Sequence, residues 1–440
     1  MLANIQRNKL FVASCMALLV TSLSFGIRAG LLDTWKHNFG LSQEQVGIIT
    51  STAFWGFPLA IIVGGLVVDI IGMKKLLVAA AVFHLVGIFL TITATGFWSL
   101  FISTLLIGIG NGTVEAACNP LVASLYTEKK TTKLNHFHLW FPGGIVIGTL
   151  IVRFFGVNIP GTLYLDNWKI LVAVMLVPTL LYGYLFSKLS FPPTERVSSG
   201  VSTSEMYKSL LTPLFLVMII LMFGTAITEL FTGQWIDVLL KNVTDNAILL
   251  LTIETGVMVL GRAFAGPVVG KLSAAGVLLL SSIFAALGLY LLSHSTGNML
   301  FVGAFVFGIG VCYFWPTMIG FVSENLPKTG AVGMNLMGGA GMFAVSVYMI
   351  FMGSYYDKLL GAKLPAGASV QAFSSPTATP EMVNALNEAK KAAGPEIINA
   401  TLVIPILLTA AFIGLFLYMR SRKKIQLQQP ATVAAESYQL

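Results

Sequence analysis

The chain has 440 residues, 56% of them hydrophobic and only 10% charged, with a net charge of +8 and a mean hydropathy of +0.84. So little charge cannot cover the surface of a water-soluble protein of this length. The basic excess flanks the apolar runs instead of forming one face, which excludes nucleic acid as the natural partner.

In chain order, apolar runs and their polar or Gly/Pro breaks predict about twelve membrane helices. They lie near 10–30, 45–71, 76–95, 98–124, 134–156, 167–189, 209–238, 247–270, 275–293, 298–323, 329–355 and 398–420. The first follows Arg7 and Lys9 like a signal peptide, but it lacks a small-residue cleavage site and further spans follow it. Cys15, Cys118 and Cys312 sit in apolar runs without metal-ligand spacing and read as packing residues, so no metal or other cofactor is expected.

Lys and Arg gather in alternate short loops, at Lys74, Lys75, Lys129, Lys130, Lys133, Lys188, Arg196, Lys271 and Lys328, while the opposite short loops hold little beyond Lys36 and Lys241. This asymmetry predicts that both termini are cytoplasmic in a bacterial-type inner membrane. The polar stretch from Phe191 to Lys208 separates six spans from six. The expected layout is an N-terminal bundle (1–190), a cytoplasmic linker (191–208) and a C-terminal bundle (209–425). The latter carries an external loop (357–397), partly helical or mobile, and a tail (426–440) follows. The halves also look alike: "GIG" at Gly108–Gly110 recurs at Gly308–Gly310, and 64–87 parallels 265–288. A weak internal repeat about one polar linker is the signature of a duplicated transporter.

Gly65, Asp69, Gly72 and Lys74-Lys75 follow a G-x-x-x-D-x-x-G-x-K-K spacing. The glycines let two helices approach closely, and the aspartate can meet an arginine or a helix N-terminus at the surface, so these residues are candidates for a gate. In the second half Gly270 stands where an aspartate would, yet Arg262 and Lys271 remain. The pattern is similar to the loop between the second and third helices of the major facilitator superfamily.

Asn111, Glu115 and Asn119 fall at i, i+4 and i+8 inside an apolar run. A charge facing lipid at mid-membrane costs at least ~2.5–3.5 kcal/mol, so this face must look into protein or a water-filled cavity. There the carboxyl can load and release a proton, and the amides can bind substrate; a structural hydrogen bond between helices is the alternative. Glu229 lies mid-span with Thr225 and Thr232 on its face and Gln234 nearby, and is the second candidate for proton coupling. Glu254 reads as a structural partner of Arg262, eight residues along the same helix, and Glu324 as part of a second-half latch. His138 can bind substrate, relay protons or serve structure. Trp140, Trp235 and Trp315 can stack on a sugar ring or simply pack. No phosphate-binding loop, nucleophile elbow or paired catalytic carboxylates occur, so neither ATP-driven transport nor an enzyme is expected.

"NGTVEAACNP", followed by "TEKKTTKLNHFHLWFPGG", resembles the fucose permease-like sugar:proton symporters; Gly112, Glu115, Ala117, Asn119, Pro120, Leu134 and Asn135 match their fourth- and fifth-helix pattern. "GTAITELFTGQW" is similar to their seventh helix, with Glu229 at its glutamate. The resemblance implies an all-α major facilitator fold of two pseudo-symmetric six-helix bundles around a central cavity. It also implies transport of a sugar driven by a proton gradient, with Glu115 handling the proton. The expected partners are a small-molecule substrate, protons and the lipid bilayer, and the chain is expected to act as a monomer. Arg28 and Ala29 replace that family's first-helix carboxylate, and His138 and Phe141 its fifth-helix amides. Arg28 therefore opens an alternative substrate, a small organic anion such as a sugar acid; a transporter-like membrane sensor is the more distant alternative.

Overall fold

A computed structural model describes residues 2–155, 168–244, 247–375 and 377–428, and every regular element among them is helical. Eleven helices are long and apolar enough to cross a membrane: Gln6–Leu32, Glu44–Ile71, Met73–Ile92, Phe97–Leu125, Lys130–Phe155, Trp168–Lys188, Pro213–Ile236, Ala265–His294, Met299–Asn325, Pro327–Lys363 and Pro380–Arg422. The 17-residue helix Ala247–Ala263 packs against the helices on either side of it in the second half and completes a set of six there. The twelve are numbered below as spans in chain order. The expected span edges at 156 and 167, and the tail from 429 onward, lie outside the described residues.

The sequence turns the usual burial pattern inside out. Trp55, Ile70, Phe89 and Leu407 are exposed on the outside of the bundle, where lipid replaces water as their solvent. Asn111, Glu115, Asn119, Glu229 and Arg262 are buried within it. Small residues then decide how closely helices pack, since lipid-soluble helices gain little from hydrophobic contact with one another. The repeated "GIG" shows this twice. A Cβ at Gly110 would strike the His84 ring of the third span, and one at Gly310 would strike the Ala285 backbone of the ninth. The same interhelical contact is built at equivalent places in both halves.

The halves meet chiefly through the second span on the eleventh, the fifth on the eighth and tenth, and the fourth on the eleventh. Side-chain hydrogen bonds between the halves, among the described residues, run from mid-span toward the end that carries the linker. Asn335 Nδ2 donates to Ala116 O (2.9 Å), and Asn135 Nδ2 to Thr317 Oγ1 (3.2 Å). Lys130 Nζ donates to Ser323 O (3.2 Å), and Glu324 Oε1 accepts from the Thr131 N–H (2.8 Å) at the start of the fifth span's first helix. A carboxylate there also meets the positive end of the helix dipole.

The linker is part of this closure. Asp69 accepts from Thr194 Oγ1 and from Arg196 Nε (2.5 Å), and Arg196 Nη1 donates on to Val201 O (2.8 Å). Arg196 lies against Gly330, whose φ of +58° begins the eleventh span and whose Cβ, if present, would crowd the arginine. Lys130 Nζ pairs with Glu195 Oε1 (2.5 Å). Gly72, at φ +85°, makes the sharp turn between the second and third spans, and Lys74 Nζ donates to Leu189 O (3.0 Å) at the end of the sixth.

Two expectations about boundaries are corrected. The eighth span stops at Ala263, Phe264 breaks it, and Gly270 and Lys271 lie in the next helix, which bends at Ser273 (φ +61°). The 357–397 segment is largely helical: the eleventh span's helix runs to Lys363, Val370–Phe373 forms a short turn of helix, and the last helix starts at Pro380. Apolar side chains pin that last helix, for Ala389, Ala393 and Ile397 are buried, and Gly394 meets the Leu239 backbone with no room for a Cβ.

Cysteines placed at Ser199 and Ser374, both exposed, are expected to react with an impermeant maleimide from opposite sides of the membrane; reaction of both from one side would reject the twelve-span arrangement. The linker contacts give a second expectation. In a background with the three native cysteines replaced, S323C should react about tenfold faster once D69N or R196A is added, since losing ~1.4 kcal/mol of closure raises the open population tenfold. The double variant should react no faster than either single one, because both remove the same contact. Unchanged reactivity would show that Asp69 does not hold this end shut.

Candidate functional site

The fourth span brings Glu115 and Asn119 to the centre of the molecule one turn apart. A carboxylate can only accept, so Asn119 turns its amide nitrogen to Glu115 Oε2 (2.7 Å) and its oxygen toward His138 Nε2 (3.0 Å). That fixes the imidazole proton on Nε2. His138 Nδ1 then lies 3.8 Å from Glu115 Oε1. The result is a cluster of one acid, one amide and one imidazole, all buried, with Asn119 hydrogen-bonded to both of the others.

The second half supplies the opposite side. The seventh span is interrupted by one π-helical turn, Ile227–Phe231, which swings Glu229 inward. Such turns cost helix regularity and recur at functional sites. Glu229 Oε1 accepts from Arg262 Nη2 (2.8 Å), and its Oε2 accepts from the Trp315 N–H (3.2 Å). Arg262 spends its other nitrogens on backbone carbonyls, Nε on Cys312 O (2.6 Å) and Nη1 on His138 O (2.9 Å). The last bond crosses from one half to the other. Glu115 and Glu229 therefore face a common cavity, joined through His138 and Arg262.

Phe25, Phe57, Phe141, Leu230, Trp315 and Met342 complete that cavity. It is narrow, with room for about two water-sized groups. A solute of monosaccharide size fits only when the halves move apart. Aromatic faces line several sides of it, and Glu115, His138, Glu229 and Arg262 are its polar groups.

The structure does not gather every expected residue here. Asn111 turns into the first bundle: its Nδ2 donates to Ser24 Oγ (3.1 Å), and its Oδ1 accepts from His84 Nε2 (2.9 Å), whose Nδ1 accepts from Tyr182 OH (2.7 Å). At ~100° per residue, i and i+8 differ by ~80° around a helix, enough to send Asn111 and Asn119 to different neighbours. Arg28 is not in the central lining either; it borders a cavity inside the first bundle, with its guanidinium over Phe25, whose ring does line the central cavity. Gln234 is exposed, and Trp235 packs against Phe231 and Tyr356. Trp140 sits beside the first span, its carbonyl accepting from Ser22 Oγ (2.9 Å). Arg262, expected at the gate, is instead the central cation. Its partner is Glu229 and not Glu254, because eight residues are ~12 Å along a helix, beyond the reach of the two side chains. Gly65, Asp69, Gly72 and Lys74 lie at the linker end; Gly65 packs on Asn335. His84 and Asn335 went unnoticed in sequence, though each is a lone polar residue in an apolar run.

Comparison with known proteins gives this geometry a family. The chain is 27% identical to a probable anion transporter of the Arabidopsis thaliana chloroplast over 206 residues, 46% of this chain and 38% of that protein. It is 27% identical to myo-inositol transporter 1 of Saccharomyces cerevisiae over 195 residues, 42% of this chain and 30% of that one. The matches thus span about a third of those relatives. In fold it is similar to the E. coli fucose:proton symporter, with a TM-score of 0.66 at 14% identity over 90% of this chain and 98% of the other. The family model for the Major Facilitator Superfamily matches residues 14–243, more than half of the sequence. The chain belongs to the Major Facilitator Superfamily, as a multi-pass integral membrane transport protein.

Proposed function

We propose that this transporter takes up a sugar or sugar-derived small solute together with a proton, by alternating access, with both termini and the linker in the cytoplasm. The observation that carries the reading is the polar chain Glu115–Asn119–His138, which reaches Arg262 and Glu229 across the interface of the two halves. A site built this way senses protonation and the separation of the halves together. Glu229 has a fixed cation beside it. Glu115 has an amide and an imidazole as neighbours and no direct ion pair with an arginine or lysine, so of the two cavity carboxylates it is the one we assign to proton exchange. When it is neutral, closing the loaded cavity carries no uncompensated charge through the membrane interior. When solute leaves and water enters, the proton can follow. The aromatic lining, and relatives named for myo-inositol and for fucose with protons, support a polyol substrate. A carboxylated solute held by Arg28 draws no support from the cavity, because Arg28 is not part of its lining.

Uptake into proteoliposomes tests this. A panel of sugars, polyols and sugar acids is expected to yield a sugar or polyol that accumulates under an inward proton gradient. E115Q, fixed in the neutral form, should exchange that solute across the membrane at a near wild-type rate yet fail to concentrate it. Concentration by E115Q under a pH gradient would place coupling elsewhere.

Glu229 should behave differently, because it holds Arg262. E229Q leaves a buried guanidinium without its counter-charge, a change that typically costs ~3–5 kcal/mol. It should lower the thermal unfolding midpoint and abolish exchange as well as accumulation. Exchange at the wild-type rate in E229Q would remove the ion pair from the transport cycle.

A further inference from the structure

Arg28 is 7% exposed, and its guanidinium stacks over the Phe25 ring at 5.0 Å. Among the described residues it has no hydrogen-bond acceptor and no carboxylate in ion-pair range. It points instead into a narrow cavity inside the first bundle, at the end away from the linker, between the first, third, fourth and sixth spans. The Trp35 indole is 3% exposed and lines the same cavity, and its Nε1–H is buried without an acceptor. The hydroxyls around them have their protons committed: Ser24 donates to Thr21 O, Thr91 to Gly87 O, and Thr104 to Leu100 O. Two strong donors, one of them a full positive charge, therefore line one cavity, and among the described residues neither has an acceptor.

Burying an unpaired charge and an unmet N–H together is costly unless a guest answers both. Water meets the hydrogen bonds but leaves the charge. The remaining lining, with Ile27, Ile107, Val172 and Met175, is apolar, and the space admits little more than one water-sized group. A weakly hydrated monovalent ion suits it; a multivalent or strongly hydrated one does not. We propose that this cavity is a small-anion site, of chloride size, held by Arg28 and Trp35 Nε1. Its lining shares no residue with that of the central cavity, although Phe25, beneath the guanidinium, lines the latter. The anion ties the outer part of the first span, through Arg28, to the third, fourth and sixth, and so sets the shape of the first bundle at the end opposite the linker.

The test uses the purified full-length protein, with sodium chloride replacing sodium gluconate at constant ionic strength, since gluconate is too large to enter. Wild type should show a thermal midpoint that rises with chloride and saturates, together with a saturable change in tryptophan fluorescence. W35F should weaken the apparent chloride affinity severalfold. R28Q should weaken it about tenfold or more, as expected for losing a charge-assisted partner. R28K keeps the charge but not the planar fork, and should fall between wild type and R28Q; it serves if R28Q does not fold. Anomalous diffraction from crystals grown in bromide should place a peak between Arg28 and Trp35. A midpoint that does not distinguish chloride from gluconate, an equal rise in W35F and in either Arg28 variant, or bromide crystals without that peak would overturn the proposal.

Discussion

Everything at the centre of this molecule depends on one guanidinium. Arg262 is 1% exposed in a medium that penalises charge, and its survival there requires partners for its N–H groups. The structure meets three of its five N–H groups, one on each nitrogen, with a carboxylate, Glu229, and with two carbonyls that helices do not ordinarily release, Cys312 O and His138 O. Both carbonyls come from breaks in helical regularity. Cys312 follows the tenth span's first helical segment, and His138 ends the fifth span's first segment. The π turn that delivers Glu229 is a third such break. Irregular backbone is tolerated within a bilayer where it faces protein or a cavity, so the arginine and the broken helices justify one another.

The same cation sets how the halves relate. Its bond to His138 O joins the halves beside the carboxylates, and the His138 imidazole also bonds Asn119, the partner of Glu115. Moving the halves apart would break this backbone contact while leaving the imidazole on Asn119 in its own half. The residue beside Glu115 is thus also the one whose carbonyl meets the second half, so the coupling proposed above needs no long pathway.

The fold was legible in the sequence because its determinant, the length and spacing of apolar runs, is one-dimensional. Much of the site was legible for a related reason. Glu115, Asn119, His138 and Glu229 stand out as polar residues in apolar runs, and lipid forces such residues inward. What lipid does not decide is which interior they enter. A bundle of six helices has its own core as well as the cavity it shares with the other half. Asn111 and Arg28 entered that core, and only helix rotation and neighbouring side chains such as Ser24 and His84 distinguish the two destinations. The pairing of Arg262 was misread for a different reason. The π turn at Ile227–Phe231 has no sequence signal comparable to a proline, so the approach of Glu229 across helices was invisible while Glu254 on the same helix was conspicuous.

The halves are held together by several small contacts, most of them to backbone groups. Lys130, Arg262 and Asn335 of one half each donate to a backbone carbonyl of the other, at Ser323, His138 and Ala116. A hydrogen bond of this sort contributes about 0.5–1.5 kcal/mol net, because water can replace it once the cleft opens. The strong ion pairs are elsewhere: Arg262 with Glu229 lies within one half, and Arg196 with Asp69 joins the linker to the first half. Strong bonds thus keep each part intact, and replaceable ones hold the parts together. Alternating access, as proposed above, needs this division. If an unreplaceable pair bridged the halves directly, one state would be favoured by several kcal/mol and binding a solute and a proton would be too weak to reverse it.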